Sequence, residues 1–201
     1  MSNFVTLSFD PASPTEFVEF WRRGYRAKVA TYDQNIRENQ PLSTDNVVAL
    51  MRWKAGNRFA AAAEGFARAV PVELLNASRE AKVPLTDEAV RDLYDRITSA
   101  LHAEDLGWTE AIVWRLFLCH LAQPQSIPIY DRYVWRAWGF ITEWIEPHHY
   151  LELPATLDTY LEFRRWWNDA VQSDGLDRRR FYQALMAFGQ FLSNRWGRLL
   201  R

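Results

Sequence analysis

Apolar residues recur at helical spacing through most of this chain, and no segment shows the sustained alternation of apolar and polar residues that marks a half-buried strand. Val90, Leu93, Ile97 and Leu101, for example, fall on one face of a helix that Thr86 would cap. The pattern therefore predicts an all-α protein of roughly eight helices.

Cap residues, prolines and glycines divide the chain into these helices. Prolines open several of them, since a proline in the first turn loses no hydrogen bond, and Gly56 and Gly175 mark two ends. The predicted helices cover residues 15–32, 45–56, 57–70, 71–81, 86–101, 109–121, 131–147 and 154–171, and a last one begins near residue 178.

The helix at residues 112–121 is apolar on nearly every side, which is typical of a helix buried at the centre of a protein. It contains the only cysteine, Cys119, so no disulfide can form within the chain, and we expect this thiol to be buried and unreactive. With 201 residues, 48% of them hydrophobic, the chain is large enough for one α-helical unit with a substantial core.

A proline-containing connector, residues 123–130, separates that helix from the next one. Pro124 and Pro128 exclude helix there and favour extended backbone in the residue before each of them. Asp131 then stands at the N-cap position, ahead of the apolar positions Val134 and Trp138. Two roles are open for Asp131: a cap alone, or a cap that also presents a carboxylate to a cleft.

Residues 106–138 resemble the core motif of the helix-hairpin-helix (HhH-GPD) DNA glycosylase superfamily, and especially its 8-oxoguanine DNA glycosylase-like branch. In that family a hairpin and an apolar helix are followed by a connector of proline, a small apolar residue, proline, an apolar residue and aspartate. The next helix then carries His or Tyr, Val, any residue and Arg. Residues 127–136, IPIYDRYVWR, follow this order with one extra residue in the connector, and the resemblance covers about a sixth of the chain.

The resemblance implies two closely packed helical lobes, one spanning about residues 85–147 and the other formed by residues 1–84 and 148–201. It also implies a DNA glycosylase, an enzyme that extrudes a damaged or modified base from duplex DNA and hydrolyses its N-glycosidic bond. Asp131 occupies the position of the catalytic carboxylate, which stabilises the positive charge that develops on the sugar and positions water.

Several other residues take binding roles under the same resemblance. Tyr130, Tyr133 and Trp135 flank the carboxylate and are candidates for stacking on an extruded base, although aromatic residues at helical spacing also fit a core role. Trp53 and Lys54 are candidates for the pocket. The candidates for binding DNA phosphates are Gly107 and Thr109 in the hairpin, Arg132, and the run Arg178, Arg179 and Arg180, for which a solvated helix face is the alternative.

Two family features are incomplete in this sequence. The hairpin segment Gly107–Thr109 retains only the first glycine of the family's Gly-x-Gly, which offers backbone amides to a phosphate. Family members that also cleave the strand use a lysine one helix before the aspartate as an amine nucleophile, and no lysine follows Lys82 here. The resemblance therefore predicts a monofunctional glycosylase that leaves the strand intact.

The charge balance favours a second interpretation. A net charge of −1 and an isoelectric point near 6.4 exclude a basic face spread over the whole domain, which is typical of proteins that coat DNA. A non-catalytic module of the same helical fold, binding nucleic acid or a protein partner, is the alternative, so whether the chain is an enzyme stays open. An unrelated helical scaffold with a chance match to the motif is a third interpretation.

The sequence predicts neither a cofactor nor a metal site. The neighbouring His148 and His149 lack a second pair of ligands at regular spacing and are typical of surface residues. The chain has no basic leader followed by an apolar segment and no apolar run of about eighteen residues. We therefore expect a cytoplasmic protein with no membrane partner.

Overall fold

Helices form all of the regular structure in the computed structural model, which describes residues 13–25, 29–36, 40–80, 84–104, 112–142 and 156–199. The predicted all-α class is confirmed. Two 3-10 helices span Arg22–Gly24 and Asn57–Phe59. The α-helices within these ranges, α1 to α10, are Pro14–Trp21, Val29–Asn35, Thr44–Ala55, Ala60–Ala69, Val72–Glu80, Asp87–Ala103, Ile112–Ala122, Arg132–Ile141, Leu157–Ser173 and Arg178–Leu199.

Side-chain caps begin several of these helices. Ser13, Ser43, Thr86 and Thr156 each accept a hydrogen bond from the backbone N–H three residues later, and Ser43 forms a reciprocal capping box with Asn46. These bonds satisfy amide groups that the start of a helix leaves unpaired. Local sequence therefore sets the beginnings of α1, α3, α6 and α9.

The single helix predicted over residues 15–32 is wrong, because the chain is interrupted after Trp21. A 3-10 turn follows α1, and Tyr25 has extended backbone (φ −75°, ψ 118°) before α2 begins. Phe20 is 67% exposed, whereas the Trp21 ring packs against Phe188 of α10 with ring centroids 4.9 Å apart. Packing against α10 overrides the local helical pattern here.

Helix α7 is buried as its sequence predicts. Every residue from Arg115 to Ala122 is buried, and α3, α5 and α6 contact this helix. Cys119 is fully buried, and this burial raises the pKa of its thiol, which fits an unreactive cysteine. The buried apolar residues form a hydrophobic core that extends from α7 to α8, α9 and α10. The division into two lobes stays a prediction.

The helix opened by Asp131 ends at Ile141, short of the predicted end near Pro147, and the Thr142 N–H caps its last turn. In the described part of the chain, no helix has both the length and the apolar character needed to span a bilayer. Several predicted residues lie outside the described ranges: Gly107 and Thr109 of the hairpin, and His148 and His149.

A very close approach joins α8 to α10. Gly189 of α10 faces the backbone of Tyr133 in α8, and a Cβ atom on this glycine would lie 1.9 Å from the Tyr133 carbonyl oxygen. A backbone oxygen cannot rotate away as a side chain can, so only glycine fits at this position. The contact fixes α8, and therefore the residue that caps it, against α10.

We expect Gly189→Ala to lower the free energy of unfolding by about 2–3 kcal/mol or more, because the added methyl group forces α8 and α10 apart. Gly65→Ala in α4 is the matched control, since a Cβ there meets no atom within 4 Å. The control should raise stability by up to about 1 kcal/mol through helix propensity. Urea unfolding measures both, and a stable Gly189→Ala protein would contradict the close approach.

Candidate functional site around Asp131

Three successive backbone carbonyls of the connector each accept a hydrogen bond from a buried side chain. The donors come from α7 and α9. Because an unpaired buried carbonyl is costly, these bonds allow a non-helical, proline-containing segment to lie in the interior. The donor–acceptor distances are 2.9 Å from Arg164 Nε to Ser126, 2.6 Å from His120 Nδ1 to Ile127, and 3.1 Å from the Tyr160 hydroxyl to Pro128.

Arg164 also ties the connector to the start of α6. Its Nη1 lies 2.5 Å from Asp87 Oδ1, and its Nη2 donates to the Leu85 carbonyl. The Gln123 side-chain oxygen accepts a hydrogen bond from Leu85 N at 3.0 Å and another from the Ser126 hydroxyl. The connector is thereby held along its length, and this fixes the position at which α8 begins.

Asp131 caps α8 and also forms an ion pair with Lys54 of α3. Its Oδ1 accepts hydrogen bonds from the backbone N–H groups of Tyr133 (2.9 Å) and Val134 (3.1 Å). Its Oδ2 lies 2.9 Å from Lys54 Nζ. The Asp131 side chain is 14% exposed and the Lys54 side chain 7% exposed. One carboxylate oxygen therefore serves the helix and the other faces a cation.

A cavity of about 1060 Å³ opens beside this ion pair. Asp131 is the one carboxylate among the described residues that line it, whereas Arg52, Lys54 and Arg132 are cationic. The wall is therefore locally basic, although the whole chain carries a net charge of −1. Six aromatic rings also line this cavity: Tyr25, Trp53, Phe59, Trp114, Tyr133 and Tyr182.

Four of the predicted site residues meet at this cavity with Asp131, namely Trp53, Lys54, Arg132 and Tyr133. The Arg132 guanidinium lies 4.7 Å from the centroid of the Tyr133 ring and donates a 2.9 Å hydrogen bond to the Tyr133 hydroxyl. Arg132 is exposed. This arrangement places an accessible positive charge at the mouth of the cavity.

Tyr130 and Trp135 lie in the core instead, with exposed fractions of 1% and 4%. The Tyr130 ring packs against Tyr160 and Phe163, with centroids 5.4 Å away in both cases, and Trp135 packs against Trp138 at 5.1 Å. Neither ring offers a face to an extruded base, so the structure contradicts the stacking role predicted for them. Both belong to the packed faces of the connector and α8, which is the core role that aromatic spacing also fits.

The arginine run at the start of α10 does not join the Asp131 cavity. Arg178 and Arg179 line a different cavity, and each arginine of the run is held by a side chain of another element. Their role as phosphate contacts stays a prediction. The partners are Asn168 Oδ1 for Arg178 at 3.0 Å, Asp33 Oδ2 for Arg179 at 2.5 Å, and Glu19 Oε1 for Arg180 at 3.4 Å.

This second cavity, of about 640 Å³, shares Tyr25, Trp53 and Tyr182 with the first one. Tyr32 and His120 lie in its wall, and the Tyr32 hydroxyl oxygen is 2.5 Å from His120 Nε2. His120 Nδ1 must be the donor toward the connector carbonyl, because a carbonyl only accepts. In the neutral ring Nε2 is then an acceptor, and the Tyr32 hydroxyl donates a hydrogen bond to it.

Burial controls the protonation of these groups. It lowers the pKa of His120 to about 4, and the charges of Lys54 and Arg79 act in the same direction, against the opposing effect of the bond to the connector carbonyl. Burial also raises the pKa of Tyr25 to about 12 and that of Tyr182 well above its usual value, and the two rings pack edge to face with centroids 6.0 Å apart. At neutral pH the second cavity is therefore lined by a neutral imidazole, that of His120, and by the protonated side chains of Tyr25 and Tyr182.

Two contacts of the site have no local signature in the sequence. Lys54 and Asp131 lie 77 positions apart, and Tyr32 and His120 lie 88 positions apart. Lys54 comes from α3, much earlier in the chain than the helix that precedes Asp131. For the contact between Tyr32 and His120, the sequence offers one signal, which is the presence of a histidine inside an apolar helix.

Among the described residues, no group of three or more His, Cys, Asp or Glu side chains is arranged to hold a metal ion. Comparisons with protein-family models, curated proteins and solved structures give no match to this chain. The chemistry that the site can perform therefore follows from its own residues and their geometry.

The neutral state of His120 makes stability depend on pH. An imidazole in the unfolded chain titrates near pH 6.5, whereas folding lowers the pKa of His120 to about 4. Between these values the unfolded state binds a proton that the folded state does not, so the free energy of unfolding falls as the pH falls. We expect a loss of about 3 kcal/mol across this window, measured by urea unfolding at successive pH values.

His120→Gln removes the titrating group, so this variant should lose less stability than the wild type between pH 6.5 and pH 4. His102→Gln, at an exposed position of α6, is the matched control for the loss of a histidine. Parallel losses in the wild type and in His120→Gln would show that other groups cause the acid sensitivity.

Proposed function

We propose that this protein is a cytoplasmic, monofunctional DNA glycosylase that hydrolyses the N-glycosidic bond of a damaged or modified base. The placement of Asp131 carries the proposal, because its carboxylate is fixed at the start of α8 beside a cavity with basic and aromatic walls. A carboxylate sealed beneath core side chains would have argued against it.

Base release needs a carboxylate in such a setting. As the bond to the base breaks, positive charge develops on the sugar, and a negative group that is already fixed nearby stabilises this charge without reorganising. Two backbone amides hold Oδ1 of Asp131 in place, so the direction of Oδ2 is set as well. The geometry suits a carboxylate that stabilises the sugar cation and orients a water molecule for attack.

The remaining groups of the wall suit a DNA strand. Arg52, Lys54 and Arg132 supply positive charge for phosphate groups, and Trp114 and Tyr133 supply rings on which bases can stack. Arg52 is paired with Glu64 at 2.5 Å, but its side chain is 54% exposed, and a phosphate can compete for such a pair. The local charge thus favours a nucleic acid even though the chain as a whole is nearly neutral.

Lys54 supports a second candidate, a glycosylase that also cleaves the strand. Its amine lies 2.9 Å from Asp131, close enough for the carboxylate to take a proton and leave an amine that attacks the sugar. In the ion pair, however, Lys54 is an ammonium group without a lone pair, and its side chain is 7% exposed. These observations favour an electrostatic role for Lys54, and hydrolysis by water is the preferred proposal.

Asp131→Asn tests the proposal, because asparagine keeps the N-cap and removes the charge. We expect release of the base from a panel of lesion-bearing duplexes to fall at least about a hundredfold, since transition-state stabilisation is lost while the helix cap is kept. Alkaline cleavage at the resulting abasic sites measures the release.

Asp158→Asn is the matched control, because this carboxylate is 73% exposed, pairs with Arg91, and does not line the cavity. Undiminished release by Asp131→Asn would remove Asp131 from the mechanism. Duplex binding without release on any substrate would identify the non-catalytic module instead, and no affinity for DNA at all would indicate a protein partner.

Borohydride reduction separates the two roles of Lys54. If water is the nucleophile, borohydride traps no covalent protein–DNA complex, and Lys54→Arg, which keeps the positive charge beside Asp131, retains most of the base release. An amine nucleophile would instead give a trapped complex in the wild type that Lys54→Arg loses. Lys82→Met, at a lysine outside the described residues, is the control for the loss of one amine.

A further inference from the structure

The residues that line the second cavity suit a planar molecule. Its volume of about 640 Å³ is within the range of small-molecule sites. Five aromatic side chains line it: Tyr25, Tyr32, Trp53, Trp167 and Tyr182. Trp167 and Tyr182 are buried, whereas Tyr25, Tyr32 and Trp53 are half-buried, so these three rings are the ones on which a flat ring system can stack.

This cavity shares part of its wall with the cavity that Asp131 lines. Tyr25, Trp53 and Tyr182 line both, so a base attached to a sugar near Asp131 lies beside rings that also line the second cavity. The Tyr32 and Trp53 rings lie 5.2 Å apart between centroids, so Tyr32 packs beside a ring that lines both cavities.

The hydrogen bonds of His120 determine whether the Tyr32 hydroxyl donates a hydrogen bond to a ligand or accepts one from it. The imidazole is 4% exposed and lies against the rings of Tyr32 and Phe117, with centroids at 5.9 and 5.7 Å. Its Nδ1–H donates to the connector carbonyl, so its Nε2 accepts a hydrogen bond from the Tyr32 hydroxyl. A hydroxyl has one O–H group, and that of Tyr32 is engaged by His120. Toward the cavity, Tyr32 can therefore act only as a hydrogen-bond acceptor.

We propose that the second cavity receives the heterocyclic base of the substrate and that the Tyr32 hydroxyl oxygen accepts a hydrogen bond from a ring N–H of that base. Tyr32 is then a specificity-determining residue, and the site selects bases that carry a ring N–H over bases in which this nitrogen is methylated. The inference rests on the proposed function, since it takes the base from a nucleotide whose sugar is held at Asp131.

The test measures binding without catalysis, in protein carrying Asp131→Asn. Ligand-observed NMR titrations compare 2′-deoxyinosine with 1-methyl-2′-deoxyinosine, and thymidine with 3-methylthymidine. We expect at least one parent nucleoside to bind about five- to tenfold more tightly than its methylated form, which is the size of one neutral hydrogen bond. Adding Tyr32→Phe should remove this preference, because the ring stays and the acceptor is lost.

Tyr94→Phe is the matched control, since Tyr94 lies on α6 and lines neither cavity; it should keep the preference. Equal affinity for parent and methylated nucleosides, no binding of either parent, or a preference that survives Tyr32→Phe would each overturn the proposal. A preference that depends on Tyr32 in a protein that releases no base would support this binding site while contradicting the glycosylase activity. Base release without this preference would support the glycosylase activity and contradict the binding site.

Discussion

The site depends on the hydrogen bonds that hold the connector between α7 and α8. A non-helical segment with two prolines leaves some of its carbonyl groups without a backbone donor, and a buried carbonyl without a donor is unstable. Here the carbonyls of Ser126, Ile127 and Pro128 accept hydrogen bonds from three buried side chains, and Arg164 links the same segment to the start of α6. Since α8 begins directly after this segment, these bonds fix the carboxylate that caps it.

The ion pair at Asp131 is not explained by helix capping. A cap requires only an acceptor, and asparagine or serine fills that position as well as aspartate does. A largely buried ion pair adds little net stability, because the loss of hydration offsets much of the attraction between the charges. Asp131 and Lys54, with side chains 14% and 7% exposed, are such a pair. A charged carboxylate beside a cavity is better explained by chemistry in that cavity than by stability, and this is why the proposal rests on Asp131.

The sequence predicts contacts between near neighbours well and contacts between distant residues poorly. The caps Thr86 and Asp131 bond to amides two or three residues away, so a short motif contains all the information needed. The break after Trp21 depends on α10, and no local pattern in residues 15–32 contains it. Aromatic residues show the same limit. Tyr133 and Trp135 have similar sequence surroundings, yet one lines a cavity and the other lies in the core, because α8 presents them on different faces.

His120 connects the architecture of the site to its chemistry. Its Nδ1 holds the connector, and because a neutral imidazole has only one N–H, its Nε2 is left as an acceptor for Tyr32. The hydrogen bond from His120 Nδ1 to the connector therefore helps to fix the position of the Asp131 carboxylate. The same bond also determines that Tyr32 donates to His120 Nε2 in the wall of the second cavity. If His120 were protonated, both ring nitrogens would be donors, and the Tyr32 hydroxyl would accept from Nε2 instead of donating to it. Burial lowers the pKa of His120 to about 4, so the imidazole is neutral at neutral pH. The Tyr32 hydroxyl therefore donates to His120 and can only accept a hydrogen bond from a ligand in the cavity.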